Sequence, residues 1–187
     1  SRYTDAKIVA ITGSNGKTTT TSLMYHILKQ AGLNVGLGGN IGTSFALLVA
    51  TQQYDYYVLE ISSFQLDDIE TFHPDVAILL NITPDHLDEY DYSFDKYALS
   101  KFKITENQSN DDYFIYNLDD PKTVEMIDGI NIKANQNPFT MKDANQNSYA
   151  NNEFFFINDS DGGLRMRIDE LSLIGTHNVS NSLAAAT

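Results

Sequence analysis

Residues 7–21, KIVAITGSNGKTTTT, constrain this chain more than any other stretch. An apolar run, Ile8-Val9-Ala10-Ile11, leads into Thr12-Gly13-Ser14-Asn15-Gly16-Lys17-Thr18-Thr19, and an amphipathic pattern follows. The order predicts strand, glycine loop, helix. Such a loop turns its backbone N–H groups toward an anion, and Gly13 and Gly16 keep side chains out of the approach. The helix opening near Lys17 aims free N–H groups and the positive end of its dipole at the same point. A polyphosphate fits this arrangement. Lys17 supplies a point charge for the β/γ oxygens, and Thr18 offers a hydroxyl to Mg²⁺. The loop is shorter than the commonest phosphate loop, since only Ser14 and Asn15 separate its glycines.

The rest of the chain repeats the alternation. Residues 17–30 form the first helix, with Leu23, Ile27 and Leu28 on one face, and Gly32 ends it. A short strand at 35–37 precedes Gly38-Gly39-Asn40-Ile41-Gly42, and a helix covers about 44–51. The runs 56–61 and 76–82 are apolar on both faces, as buried parallel strands are. Ser62-Ser63-Phe64-Gln65 reads as the loop after the first of them. A helix over about 94–106 is capped by Ser93, residues 113–117 are a strand, and Asp119-Asp120-Pro121 opens a further helix. The expectation is an α/β fold, a mostly parallel sheet with helices on both faces. After about residue 129 the character changes. Residues 135–152 are rich in Asn and Gln and read as solvated turns, and Asp161-Gly162-Gly163 reads as a hairpin turn between 153–158 and 164–168. That region is expected to be a small antiparallel appendage. The sequence stops inside a helix pattern at 181–187, as a piece excised from a longer protein would.

Composition narrows the function. The formal charge is −13, which opposes a general nucleic-acid or anionic-membrane surface. No apolar run approaches the ~18 residues that suggest a membrane span. There are no cysteines, so thiolate chemistry is excluded. An acidic chain that handles phosphate must use local devices: a loop, a helix end and metal ions.

The remaining candidates, Asn40, Glu60, Asp85 and His86, all follow the carboxyl ends of predicted strands, where open parallel sheets bind ligands. Glu60 reads either as a cap or ion-pair partner, or as a carboxylate facing Mg²⁺ beside the phosphate loop. His86 reads either as an ordinary loop histidine or, between Asp85 and Asp88, as a metal ligand. The two aspartates are acceptors that fix its ring, or turn residues. Lys101 is anomalous. With Phe94 at 0° and about 100° per residue, Tyr97 falls at about 300°, Ala98 at about 40° and Lys101 at about 340°. It therefore lies within the apolar stripe, while Lys96 and Lys103 lie opposite, at about 200° and about 180°. A lysine there either snorkels out along Tyr97 or pairs with Asp85 or Asp88.

Taken in order, TGSNGKTTT, GGNIG, LEISSFQL, LNITPDHLD, YALSKFKI and GTHNVSN resemble the ATP-dependent Mur ligases, which build the peptidoglycan stem peptide. GGNIG and LEISSFQL are most similar to the branch that joins D-glutamate to UDP-N-acetylmuramoyl-L-alanine. The resemblance runs from Lys7 to the last residue, and residues 135–167 carry none of its motifs. It implies the central, ATP-binding domain of a three-domain protein, with the N-terminal UDP-binding and the C-terminal domains outside residues 1–187. It also implies a cytoplasmic, monomeric enzyme of cell-wall biogenesis that forms an acyl phosphate. ATP would be bound by Gly13, Ser14, Asn15, Gly16, Lys17, Thr18 and Thr19, with Asn178 and Asn181 on adenine. Two Mg²⁺ ions are implied, one on Glu60 with Thr18 or Thr19, the other on His86 and a carbamylated Lys101. Asn40, Ser62, Ser63 and Gln65 are implied on the substrate side. The competing expectations are another Mur-type or folylpolyglutamate-type ligase, and a GTP-binding switch. The second lacks an Asn/Thr-Lys-x-Asp motif to read guanine.

Overall fold

A computed structural model describes residues 3–158 and 162–187. Its centre is a sheet of nine strands among the described residues, in the order β2-β3-β1-β4-β5-β6-β7-β8-β9. The first five are β1 Lys7–Thr12, β2 Val35–Gly39, β3 Tyr56–Glu60, β4 Val76–Leu79 and β5 Tyr113–Asn117. They pair in parallel, with Ile11 beside Glu60 and Thr12 beside Leu79. The carboxyl ends of β1, β3 and β4 therefore come out side by side.

The continuous apolar runs are explained by helices on both faces. Ile8 and Ala10 of β1 face one core with Leu59, Leu79 and Phe114, closed by α2 Phe45–Thr51, α3 Ser63–Asp67 and α4 Phe94–Phe102 through Leu48, Leu66, Tyr97 and Phe102. Val9 and Ile11 face a second core with Val58, Ile78 and Ile115. That core is closed by α1 Lys17–Gln30 and α6 Thr176–Ala186, while α5 Pro121–Ile127 follows β5. Among the described residues no helix is long and apolar enough to cross a membrane.

Several expectations need correction. Of the expected α1 face Leu23-Ile27-Leu28, Leu28 holds its place and the rest of the buried face is built differently. Thr20 and Thr21 are buried, Met24, Tyr25 and Leu28 pack on the core, and Ile27 is exposed. The loop expected at Ser62–Gln65 is the start of α3, where Ser62 caps and Gln65 returns the bond. The expected helix over 94–106 stops as an α-helix at Phe102 and continues as a 3-10 turn, Lys103–Thr105. The Asn/Gln-rich stretch is not solvated turns throughout. It supplies β6 Asn135–Thr140 and β7 Ser148–Ala150, both added in parallel to the main sheet. Only the pairings of β8 Phe154–Ile157 with β7 and with β9 Leu164–Arg167 are antiparallel, as an extension of the same sheet. The expected turn at Asp161-Gly162-Gly163 lies partly outside the described residues.

Opposite the loop, at the amino-terminal edge, Asp112 braces the entries to β4 and β5. Its Oδ2 accepts from the Ser109 N–H at 2.6 Å and the Ser109 hydroxyl at 2.8 Å, and lies 2.6 Å from His73 Nε2. Burial pushes this carboxyl up, but the Ser109 and His73 contacts outweigh it and hold the acid below its usual range. A depressed carboxylate contributes stability above its unfolded pKa of about 3.9 and loses it as pH falls through that value and below. Asp112→Asn is expected to cost about 1–3 kcal/mol near neutrality. The gap in melting temperature between the variant and the parent should narrow below about pH 4. A gap that stays constant with pH would reject the brace.

Candidate functional site

The site is built where β1, β3 and β4 end. β1 delivers the loop Gly13–Ser14–Asn15–Gly16, and α1 starts at Lys17. Gly16 has φ +84°, and a Cβ there would lie 2.5 Å from Asn181 Oδ1 of α6. The loop can take this shape, and α6 can come this close, only without a side chain. The loop is tied to the segment after β4. Ser14 N donates to the Asn81 carbonyl at 2.9 Å, and Asn15 N donates to Asn81 Oδ1 at 2.9 Å. Asn81 Nδ2 returns a bond to Asn15 O at 3.0 Å, and Asn15 Nδ2 donates to Thr83 Oγ1 at 3.2 Å.

Two lysines converge on one carbonyl. Lys17 Nζ folds back to donate to Gly13 O at 2.8 Å and Ser14 O at 3.0 Å. Lys101 Nζ donates to the same Gly13 O at 3.1 Å and sits 4.5 Å from the Tyr97 ring centroid. Lys101 is 1% exposed, so it neither snorkels nor makes an ion pair among the described residues. Burial, then the charge of Lys17, lowers its pKa to about 7, with Asp85 opposing. Burial also lowers Lys17, against the pull of Glu60 and Asp85.

Glu60, at the end of β3, is 2% exposed. Its Oε2 accepts from the Thr18 hydroxyl at 2.7 Å and its Oε1 from Asn40 Nδ2 at 2.8 Å. Neither donor is charged, and among the described residues Glu60 makes no ion pair. A buried carboxylate held this way beside a hydroxyl has the donor chemistry of a hard-cation site, and Mg²⁺ characteristically takes one or two carboxylates and completes itself with phosphate and water. The close fit depends on Gly39, where a Cβ would lie 2.2 Å from Glu60 O.

A hollow of about 200 Å³ is lined by Lys17, Asn40, Ser62, Ser63, Phe64, Asp85, His86, Tyr97 and Lys101. His86 is placed there by a left-handed backbone, φ 49°, and its ring meets Phe64 at 5.3 Å. Asp85 accepts from the His86 N–H at 3.0 Å and has its other oxygen 3.6 Å from Nε2. Asp88 lies in the following 3-10 turn, Leu87–Tyr90. Among the described residues no three His, Cys, Asp or Glu side chains cluster as a metal site. A cation at His86 would need oxygens from phosphate, water or a modified neighbour. A second hollow, about 550 Å³, lies on the other side of the loop, lined by Asn15, Gly16, Thr19, Asn81, Thr83, Asn117, His177, Ser180 and Asn181.

The structure thus brings Lys17, Asn40, Ser62, Ser63, His86 and Lys101 to one hollow and joins Thr18 to Glu60. Thr19 and Asn181 face the second hollow. Asn178 turns away and donates to the Ile174 carbonyl at 2.9 Å. Gln65 accepts from Ser62 N at 2.9 Å and is committed to capping α3. Sequence reasoning missed Asn81, Thr83, Asn117, His177 and Tyr97 as site-forming residues. Position at or just after a strand end would have found Asn81, Thr83 and Asn117. Tyr97 carried no signal beyond its helical angle.

Known proteins resemble this chain in sequence and in fold. The family model described as Mur ligase middle domain matches residues 11–187. The UDP-N-acetylmuramoylalanine--D-glutamate ligase of Bacteroides fragilis is 52% identical over 98% of this chain and 41% of its own length. The like-named protein of Christiangramia forsetii is 46% identical, over 98% of this chain and 42% of its own length. The chain spans about two fifths of the curated relatives it matches. In fold it is similar to the MurF ligase of Thermotoga maritima solved in complex with ADP, with TM-score 0.74 and 21% identity, covering 96% of this chain and 44% of that one.

Proposed function

The chain belongs to the Mur ligase family through its middle domain, and on that footing we propose that it is the ATP- and metal-binding part of a ligase. That ligase joins D-glutamate to the L-alanyl carboxylate of UDP-N-acetylmuramoyl-L-alanine, in the cytoplasm, as a step of peptidoglycan synthesis. The observation that carries the reading is the hollow where Lys17 of the phosphate loop meets His86 and buried Lys101, with Asn40 linking it to Glu60. Relatives at 46–52% identity bearing the D-glutamate ligase name support the choice of amino acid.

In this reading the N–H groups that open α1 cradle the β- and γ-phosphates, since those of Ser14 and Asn15 are held by Asn81. Lys17 leaves Gly13 O and Ser14 O for the phosphate oxygens and draws off charge there. The substrate carboxylate attacks the γ-phosphorus, the bond to ADP breaks, and an acyl phosphate results. The amine of D-glutamate then attacks the acyl carbon, and phosphate departs. Thr18 and Glu60, with Thr19 as the alternative hydroxyl, would hold one Mg²⁺. His86 and a carbamylated Lys101 would hold a second. When bound, the two ions neutralise the phosphate oxygens and let two anions approach. A buried lysine with its amine partly neutral near pH 7 can take up CO₂, and the carbamate gives an anionic oxygen beside His86. Asn40, Ser62 and Ser63 face the substrate carboxylate. Gln65 acts through its cap on Ser62. Asn181, with His177 and Ser180, faces the adenine, and Asn178 fixes the turn that leads into α6.

The test is phosphate release by the full-length protein given ATP, Mg²⁺, UDP-N-acetylmuramoyl-L-alanine and single amino acids. Release is expected with D-glutamate alone, and residues 1–187 by themselves should not ligate. Turnover with another amino acid in preference would overturn the substrate assignment.

A further inference from the structure

One serine oxygen joins three segments of the site. Ser14 Oγ lies 2.8 Å from Thr83 O, 2.9 Å from Thr83 N and 3.0 Å from the Tyr97 hydroxyl. The protons can be assigned by elimination. A carbonyl only accepts, so the single Ser14 proton goes to Thr83 O. The Thr83 N–H can only donate, and it takes one lone pair of Ser14. The Tyr97 O–H must therefore donate to the other. Desolvation raises the Tyr97 pKa, which keeps the phenol protonated and able to donate.

Tyr97 is held on its remaining sides. It is 1% exposed, and its ring packs edge-on against Tyr90 at 5.4 Å. Tyr90 is anchored by its own hydroxyl, which donates to Asp67 Oδ2 at 2.7 Å. One turn further along α4, Lys101 lays its Nζ 4.5 Å from the Tyr97 ring centroid and reaches Gly13 O, the carbonyl preceding Ser14. The phosphate loop and α4 therefore touch twice, through Tyr97–Ser14 and Lys101–Gly13. The Tyr97 contact also reaches, through Ser14, the Thr83 backbone on the segment that carries His86.

We propose that Tyr97 is a positioning residue for phosphoryl transfer: its hydroxyl latches α4 to Ser14 of the phosphate loop, and its ring seats Lys101, so that the γ-phosphate and the Lys101 terminus are held in register. This rests on the nucleotide and Lys101 roles given under Proposed function. Phosphate affinity comes from the N–H groups that open α1 and from Lys17, to which Tyr97 makes no hydrogen bond. Alignment between loop and α4 is what the latch adds, and a misplacement of about 1 Å can cost on the order of a hundredfold in rate. The latch therefore acts on kcat more than on ATP binding.

The experiment uses the full-length ligase, with kcat from phosphate release and the ATP dissociation constant from calorimetry. Tyr97→Phe keeps the ring and removes the hydroxyl. It should lower kcat by about tenfold or more while the ATP dissociation constant moves by less than about twofold. Ser14→Ala should lower kcat at least as far, and adding Tyr97→Phe to it should cost little more, because both break one contact. An unchanged kcat in Tyr97→Phe overturns the latch. So does a parallel loss of kcat, ATP binding and melting temperature, the mark of a merely structural residue. Independent, multiplying effects of the two substitutions overturn it as well. A parent enzyme that fails to ligate would instead overturn the function on which the latch rests.

Discussion

Lys17→Ala in the full-length protein is expected to abolish the proposed ligation, with turnover falling by about a thousandfold or more while the domain stays folded. Each ~1.4 kcal/mol of lost transition-state stabilisation is tenfold in rate. The side chain has no rival for its task. Of the two ammonium groups at Gly13 O, Lys101 is buried against Tyr97, whereas Lys17 is only half-buried and is held by loop carbonyls alone. Folding should tolerate the change. Lys17 bonds only to two loop carbonyls, and removing it relieves its repulsion of Lys101. The check is phosphate release alongside a melting curve. Turnover near the parent level would reject the phosphate-loop assignment, and a collapse of the melting transition would show a structural lysine instead.

Lys101→Met separates chemistry from packing. The methionine has similar length and no charge, so the core around Tyr97 and Phe102 should keep its volume. Burying an ammonium with one carbonyl acceptor and no carboxylate is costly, and an apolar replacement is expected to be neutral or stabilising. Ligation should nonetheless fall by about a thousandfold. The pH dependence gives a second check. The folded pKa of about 7 lies below the ordinary lysine value of 10.5. Between those values the unfolded chain binds more protons, so stability rises with pH. Lys101→Met should remove that slope. A high-resolution map of the full Mg²⁺-bound enzyme should show a carbamate on Lys101. A bare amine away from the metal, or an active Lys101→Met enzyme, would sink this role.

The site could be read from the sequence because parallel sheets place their chemistry at strand ends, and apolar runs mark those ends well. Glu60 and His86 follow such runs, and Lys17 follows the run of β1. What escaped reading was decided by tertiary contacts. The strands β6 and β7 look polar because they continue the sheet outward past β5. The side chain of Asn135 is spent on the Asn110 and Asp112 carbonyls, a role no periodicity reveals. α3 is too short for a helical period to show, and its capping pair, Ser62 and Gln65, looks the same as a polar turn. The helical angle of Lys101 did foretell burial, but its partner was a loop carbonyl and not either aspartate.

The closeness of Gly16 to Asn181 has a consequence for how the protein is made. Within this stretch a ribosome releases the phosphate loop first, and Asn181 only after the nine strands among the described residues have emerged. Until α6 docks beside α1, a nascent chain owns half of the proposed nucleotide cradle, with the wall formed by His177, Ser180 and Asn181 missing. Nucleotide cannot act as an early folding template under these conditions. It can reward only the completed sheet, so nucleotide-dependent protection of this domain from proteolysis should appear once α6 has emerged, and all at once.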